Sequence, residues 1–327
     1  MTAPLTTRPP AAAVHPGWGG RTRRRRAGLV ACLVSAAGFG ILPVLGKSAY
    51  DQGLGPLSLL WGRFGLAALA FWTLVALVFR PARPATRFVV AGLLMGALGY
   101  AVEAALFFAA LERVDASLVE LLLYAYPALV TAGGLAWGRE VPAPHLLGAL
   151  GLATLGVIGV FGGSLASGVD PSGLAMGLAA AVVYAGYILA GERVVAAVHP
   201  VLLAALVATG ATASFTVAGL VRGGLPAPRT SGGWGAVAVI AAIGTVIPMA
   251  ALFFGIERVG AATASIVSTF EPVVTVVLAG LVLGETLSMV EAGGAACVIL
   301  AVRLLARRPQ PSWAGEPQGS SGSSMDG

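Results

Sequence analysis

Hydrophobic positions along this chain gather into ten runs, at 27-46, 57-79, 88-111, 116-137, 145-162, 173-190, 201-221, 235-256, 261-283 and 289-306. A bilayer hydrocarbon core about 30 Å thick is crossed by roughly 20 residues of helix rising about 1.5 Å each, so each run predicts a transmembrane helix. The connectors are short and built from turn residues, as in Arg80-Pro81-Ala82-Arg83-Pro84, Val141-Pro142-Ala143-Pro144, Asp170-Pro171-Ser172-Gly173 and Gly223-Gly224-Leu225-Pro226. The pattern predicts an all-α integral membrane protein of ten transmembrane helices. Residues 1-26, rich in Pro, Gly and Arg, and residues 307-327, rich in Gly, Ser and Pro, read as disordered tails that cannot bury a core.

Composition agrees with the pattern. Hydrophobic residues make up 57% and charged residues 10% of the chain, against about 25% charged in soluble domains, so there is too little polar surface to cover a soluble globule. The net charge of +6 invites a nucleic-acid partner, but the topology explains it better. Placing the cluster Arg21, Arg23, Arg24, Arg25 and Arg26 in the cytoplasm puts fifteen of the twenty basic residues on that side. Lys47, Arg113, Arg222 and Arg229 then face the other side, and Arg63 lies within helix 2. That split obeys the positive-inside rule with an even helix count and both ends cytoplasmic. Arg-over-Lys and Ala-rich usage points to a GC-rich prokaryotic source, and hence to the plasma membrane. Cys32 and Cys297 sit far apart in apolar runs and form neither a disulfide framework nor a metal pattern.

The chain repeats itself. Leu106-Phe107-Phe108-Ala109-Ala110-Leu111-Glu112-Arg113-Val114 recurs, one residue shorter, as Leu252-Phe253-Phe254-Gly255-Ile256-Glu257-Arg258-Val259. Glu112 and Glu257 are each followed fifteen residues later by a proline, Pro127 and Pro272, and thirteen later again by Glu140 and Glu285. Polar landmarks in matched order at matched spacing indicate a duplication, with repeats at 27-162 and 173-306. Five helices per half is an odd number, so the second copy enters the membrane in the opposite sense and the repeat is inverted. Inverted repeats are a recurrent architecture of secondary transporters, whose central site opens alternately to each side.

Taken together, these residues resemble the drug/metabolite transporter superfamily, specifically its EamA-type transporters. The likeness runs through Trp61-Gly62-Arg63-Phe64, the Leu-Phe-Phe runs of helices 3 and 8, the prolines in helices 4 and 9, the Gly-Glu endings of those helices, and Tyr184 with Arg193. The Arg139 insertion before Glu140 departs from the ending of helix 9. The resemblance implies a central cavity lined mainly by helices 1-4 and 6-9, helices 5 and 10 at the periphery, and export of amino acids, related metabolites or drugs.

An ionisable group inside a bilayer costs about 2.5–3.5 kcal/mol on insertion scales, so it faces protein or water and invites a functional reading. Arg63, Glu103, Glu120 and Glu271 qualify. Arg63 and Glu103 lie at similar depth, roughly 10–12 Å below one end of the bundle by helical rise, where they either form a structural pair or contact a charged or zwitterionic substrate. Glu120 shares a helical face with Tyr124 and Pro127. Glu271 lies near the midplane immediately before Pro272, a helix break, and is the candidate proton carrier; its bland alternative is a protonated glutamate bonded to a neighbouring helix. Tyr100, Tyr124, Tyr126, Tyr184 and Tyr187 fall on helices placed around the cavity, with packing as the alternative role. Glycines at 148, 151, 156, 159 and 162 share a face of helix 5, and Gly92 and Gly96 a face of helix 3; both stripes predict close helix packing, with homodimerisation through helix 5 as the second option. Glu112, Glu140, Glu257 and Glu285 close helices, where capping or tethering is expected.

His15 lies in the tail and His145 and His199 at span edges, and the chain shows no nucleotide-binding loop, nucleophile elbow or metal-ligand pair. Neither enzymatic activity, a metal nor a cofactor is therefore expected. The expected partners are a small-molecule substrate and the lipid bilayer. The reading reached from sequence is a secondary exporter working by alternating access with proton coupling; a membrane-embedded enzyme or scaffold acting on lipids, and an importer of the same fold, are the alternatives.

Overall fold

The computed structural model describes residues 18–137, 144–259, 267–268, 270–286 and 288–306. Arg139, Glu140, the first part of the ninth run at 261–266 and most of both tails lie outside the described residues.

All regular structure among the described residues is helical, the form whose backbone groups are satisfied within the segment, as lipid requires. In chain order the helices are α1 (Trp18–Asp51), α2 (Pro56–Phe79), α3 (Thr86–Leu111), α4 (Ala116–Ala136), α5 (Pro144–Ala166), α6 (Pro171–Ala197), α7 (Pro200–Val221), α8 (231–259), α9 (Glu271–Leu283) and α10 (Met289–Ala306). Eight of them, α1 to α8, are long and apolar enough to cross a membrane, while α9 and α10 supply shorter apolar stretches, Glu271–Leu283 and Ala292–Ala301. Prolines open α2, α6 and α7 in their first turns, where a missing N–H leaves nothing unpaired. Asp170 caps α6 by accepting from the Ser172 N–H at 2.8 Å, and Thr230 caps α8 by accepting from the Gly233 N–H at 3.0 Å.

Two features differ from the expectation. First, α1 begins at Trp18, so residues 18–26 continue a helix where composition predicted a tail; arginine is a good helix former and here extends a helix already nucleated by the apolar run. Second, several spans are not continuous α-helix. Wider π-helical turns occupy Val75–Phe79 in α2, Met95–Tyr100 in α3, Ala242–Val246 in α8 and Ala279–Leu283 in α9. The α-helix of α4 stops at Leu123 and restarts at Tyr126, with Pro127 in the new first turn.

Close approach between helices rests on small residues. A Cβ on Gly96 would lie 2.0 Å from the Val207 carbonyl oxygen, so α3 and α7 pack backbone to backbone there. Gly156 and Gly294 do the same for α5 and α10, each with the other's carbonyl oxygen 2.7 Å from its notional Cβ. Gly148, Gly151 and Gly162 meet no neighbour within 4 Å. Leu69, Leu98, Leu155, Ile158, Val217 and Leu281 point outward with large exposed surfaces, an apolar coat that lipid would cover.

At one end of the bundle, polar groups from α1, α4 and the α9–α10 loop converge. Gly284, at φ +70°, ends α9 in the left-handed conformation, and this turns Glu285 back onto the start of α4. The Glu285 carboxylate accepts from the Ala116 N–H at 2.8 Å, the Ser117 N–H at 3.1 Å and the Ser117 hydroxyl at 2.6 Å. Lys47 donates to Glu285 at 3.2 Å and to Asp115 at 3.4 Å. Glu285 thus supplies an N-cap from a distant part of the chain, satisfying two backbone donors that α4 leaves open. Partial burial alone would raise the carboxyl pKa of Glu285; the Ser117 hydroxyl, the Ala116 and Ser117 amides and the Lys47 ammonium outweigh it and hold the group below the ordinary glutamate range.

A depressed pKa means this latch contributes fully above the ordinary glutamate value of about 4.3 and is lost as pH falls through the lower native value. Thermal unfolding in detergent should therefore show wild type more stable than Glu285→Gln at neutral pH, with the gap closing below about pH 4; a gap independent of pH contradicts the latch. Gly96→Ala should destabilise by roughly 1–3 kcal/mol through overpacking, whereas Gly148→Ala should be neutral or stabilising, as the same melting curves will report.

Candidate functional site

The charged side chains that sequence places inside the membrane meet within the bundle. Arg63 belongs to the face of α2 that buries Leu59, Leu60, Phe64 and Ala67, and only 2% of it is exposed. Its Nε donates to the Thr245 hydroxyl at 2.7 Å. Thr245 sits in the π-helical turn of α8, three residues ahead of Pro248; a wider turn rotates successive side chains and is a recurrent feature of functional sites. The guanidinium also lies 4.9 Å from the Phe64 ring centre and 5.5 Å from that of Phe108, within cation–π range. Tyr100, Glu103 and Tyr50 are the other polar groups near enough to act on it electrostatically. Among the described residues, the ion pairs join Lys47 to Asp115 and Glu285, and Arg113 to Glu112; none joins Arg63 to Glu103. Arg63 and Glu103 are neighbours in field but not a closed pair, which leaves both available to a ligand.

From Arg63 a file of aromatic rings crosses the bundle. Phe64 of α2 meets Tyr100 of α3 edge-on at 5.3 Å, and Tyr100 meets Tyr187 of α6 at 5.9 Å. Tyr187 stacks on Tyr184 at 6.0 Å, and Tyr184 meets Tyr126 of α4 at 4.6 Å. Tyr126 then meets Tyr124 at 5.9 Å. All these separations suit favourable ring pairs. Tyr184 and Tyr187 share a face of α6 through their spacing of three, and Gly99 makes room for Tyr187, whose ring would lie 2.6 Å from a Cβ there. Tyr100, Tyr126, Tyr184 and Tyr187 are half-buried, as is Glu271.

The file ends at a set of carboxyl groups. Pro272, in the first turn of α9, has no N–H to give the carbonyl of Ser268 four residues earlier. The Tyr124 hydroxyl donates to that carbonyl instead. The same hydroxyl oxygen lies 3.3 Å from Oε2 of Glu271. The one hydroxyl proton of Tyr124 thus has two acceptors within reach, the Ser268 carbonyl and the Glu271 carboxyl. One turn before Tyr124 on α4, Glu120 is 2% exposed and its Oε1 is buried without a hydrogen-bond partner. Glu120 stands within electrostatic reach of both Glu271 and Glu103. Two buried carboxyls and the half-buried Glu271 therefore share one guanidinium, and the excess needs protons or a cationic ligand to neutralise it.

The structure brings Arg63, Glu103, Glu120, Tyr100, Tyr124, Tyr184 and Glu271 into one connected group, with Pro127 and Pro272 each just inside a restarted helix. Sequence reasoning passed over Thr245, because a hydroxyl in an apolar span carries no charge signal. It also gave no partner to Tyr124. No group of three or more metal-ligating side chains occurs among the described residues.

Known proteins bear on this geometry in three ways. A sequence profile of the EamA-like transporter family matches the chain twice, at residues 26–162 and 171–307. An uncharacterized transporter of Bacillus subtilis (strain 168), YcbK, is 28% identical over 298 residues, covering 86% of this chain and 93% of its own. An uncharacterized transporter of Synechocystis, sll1319, is 26% identical over 214 residues, 61% of each chain. A solved crystal structure, 19% identical, covers 88% of this chain and all of its own with a TM-score of 0.59, which shows a shared fold. Two successive matches across nearly the whole apolar block, on an all-helical bundle with polar groups gathered at its centre, make this multi-pass membrane protein a member of the EamA-like transporter family of drug/metabolite transporters.

Proposed function

We propose that the protein is a secondary exporter of small amine-bearing metabolites, amino acids and related drugs among them, working by alternating access in exchange for protons. Its ten helices form two inverted five-helix repeats in the plasma membrane, with both chain ends cytoplasmic. The inverted arrangement is supported by α4 and α9. Ser117 of α4 meets Glu285 beyond the end of α9, and Tyr124 meets Glu271 at its start, so the two helices run antiparallel. Tyr126 and Glu271, each immediately before a proline, restart their helices 145 residues apart, matching the separation of Glu112 and Glu257. Export follows the family resemblance; an importer of the same fold would differ only in the direction of coupling.

The observation that carries the substrate reading is the polarity of the central group. A guanidinium with Glu103 beside it stands at one end, Glu120 and Glu271 gather towards the other, and a tyrosine wall runs between them. A zwitterion fits this layout, its carboxylate towards Arg63, its ammonium towards the glutamates and its apolar part against the rings. Proton exchange is supported by the grouping of Glu103, Glu120 and Glu271 around a single cation, an excess of acid that a proton on Glu271 relieves. Loss of that proton supplies a negative charge for an incoming ammonium. Protons and substrate then compete for one carboxyl, which is the requirement for antiport.

In proteoliposomes, Glu271→Gln should abolish transport driven by a pH gradient while substrate counterflow persists; an unchanged gradient dependence rules out the proton role. Arg63→Ala should lower transport by roughly 10–100-fold, the loss expected for hydrogen bonds to a charged group. Thr245→Val should lower it less, because the cation remains. Wild-type rates in Arg63→Ala, with amino acids and amine analogues compared by initial uptake, would remove the zwitterion assignment.

A further inference from the structure

We propose that a groove between α1 and α8 binds an anionic phospholipid, with its headgroup on Arg23 and Arg26 and one acyl chain laid between the helices. The groove encloses about 690 Å³, within the range of roughly 300–1,000 Å³ usual for small-molecule sites. Alanines on both helices make it concave, and Val30, Val34 and Phe254 form its apolar walls. Its floor is closed by the close approach of the two helices, where a Cβ on Gly255 would strike Cys32 and one on Gly28 would lie 2.7 Å from Val259. Arg258 stacks its guanidinium on the Phe254 ring at 3.2 Å and so fixes that wall.

Three observations select the occupant. The walls are exposed, Val30 by 58%, Val34 by 44% and Phe254 by 43%, so the groove opens sideways to where lipid lies. From Arg23 to Val34 the helix rises roughly 16 Å, about half of a 30 Å hydrocarbon core, so the groove is as deep as one leaflet. Arg23 and Arg26, three residues apart at its mouth, are exposed and form no hydrogen bond or ion pair with the described residues. Two free cations at headgroup level above an apolar slot one leaflet deep match a lipid bearing a net negative phosphate. A second copy of this chain would bring its own arginines to the same place and repel. The site lies apart from Arg63, Glu271 and the tyrosines, so it rests on the membrane placement of α1 and α8 and not on the transport reading.

The test uses the full chain in nanodiscs and detergent, with phosphatidylglycerol and phosphatidylcholine as probes, read by native mass spectrometry and by melting temperature. Phosphatidylglycerol should be retained in preference to phosphatidylcholine. The double variant R23Q/R26Q should weaken its binding by roughly 25-fold, about 5-fold per arginine, with melting in phosphatidylcholine unchanged. Ala31→Trp, which fills the slot, should exclude phosphatidylglycerol even with both arginines in place. Equal retention of the two lipids, or unaltered binding in R23Q/R26Q, overturns the proposal. Displacement by millimolar inorganic phosphate assigns the arginines to a soluble anion and overturns it, as does a lipid-independent dimer lost in Ala31→Trp.

Discussion

A hydrocarbon interior offers no hydrogen-bond partner, so each polar group carried into it must be answered by another part of the chain. That constraint organises the centre of this protein. Pro272 deprives the Ser268 carbonyl of its backbone donor, and Tyr124, on another helix, answers it. Because α4 is itself broken just before Pro127, Tyr124 stands at a place where the helix has already ended. Two helix breaks, each awkward alone, thus complete one another, and Glu271 and Glu120 are held at the junction. Arg63 obeys the same rule from the other side, taking the Thr245 hydroxyl and two aromatic faces in place of water. Glu120 is the exception: its Oε1 is buried and unanswered, and an unanswered acid inside a membrane protein is the natural place for a proton or a cation to act.

Much of this was legible in the sequence, for a physical reason. The bilayer fixes the length of an apolar segment, so spans can be counted from hydropathy alone, and the expense of charge in lipid makes Arg63, Glu103, Glu120 and Glu271 stand out. The matched landmarks around Glu112 and Glu257 likewise announced two halves, and the family profile matches two halves. The π-helical turns were not legible, since no residue type encodes them, and with them went Thr245. The contacts of Glu285 were legible only in kind. A glutamate after a Gly at a helix end suggests a tether, but its partner Lys47 lies 238 residues away, beyond any local rule. Helix α1 outran its predicted start because hydropathy marks where lipid ends, whereas a helix ends where its backbone runs out of reason to continue.

The tyrosines show how one residue type can serve packing and chemistry together. As rings they give edge and stacked contacts that hold α2, α3, α4 and α6 at fixed separations. Under the proposed function, their hydroxyls give the same surface hydrogen bonds to offer a polar solute. A wall of phenylalanine would pack equally well but offer that solute no hydrogen bond. The half-buried state of Tyr100, Tyr126, Tyr184 and Tyr187 fits that double duty.

Under the proposed function, α4 and α9 are where chemistry becomes movement. Two polar contacts join them, the Glu285 latch at Ser117 and the Tyr124 contact with Ser268 and Glu271. About 18 Å of helix, from Glu271 to Leu283, separates the two contacts at the usual rise per residue. A packed helical segment of that length transmits a small tilt at one end as a displacement at the other, because interiors are dense and do not absorb strain locally. When Glu271 gives up its proton, its carboxylate becomes the stronger acceptor for the Tyr124 hydroxyl, and the Ser268 carbonyl just before α9 loses its share of that donor. The balance between that contact and the latch at the far end then shifts, and opening of the latch exposes the central group on that side. Coupling of this kind needs no long relay of residues, only one stiff element whose two ends are each tied by bonds that a proton can change.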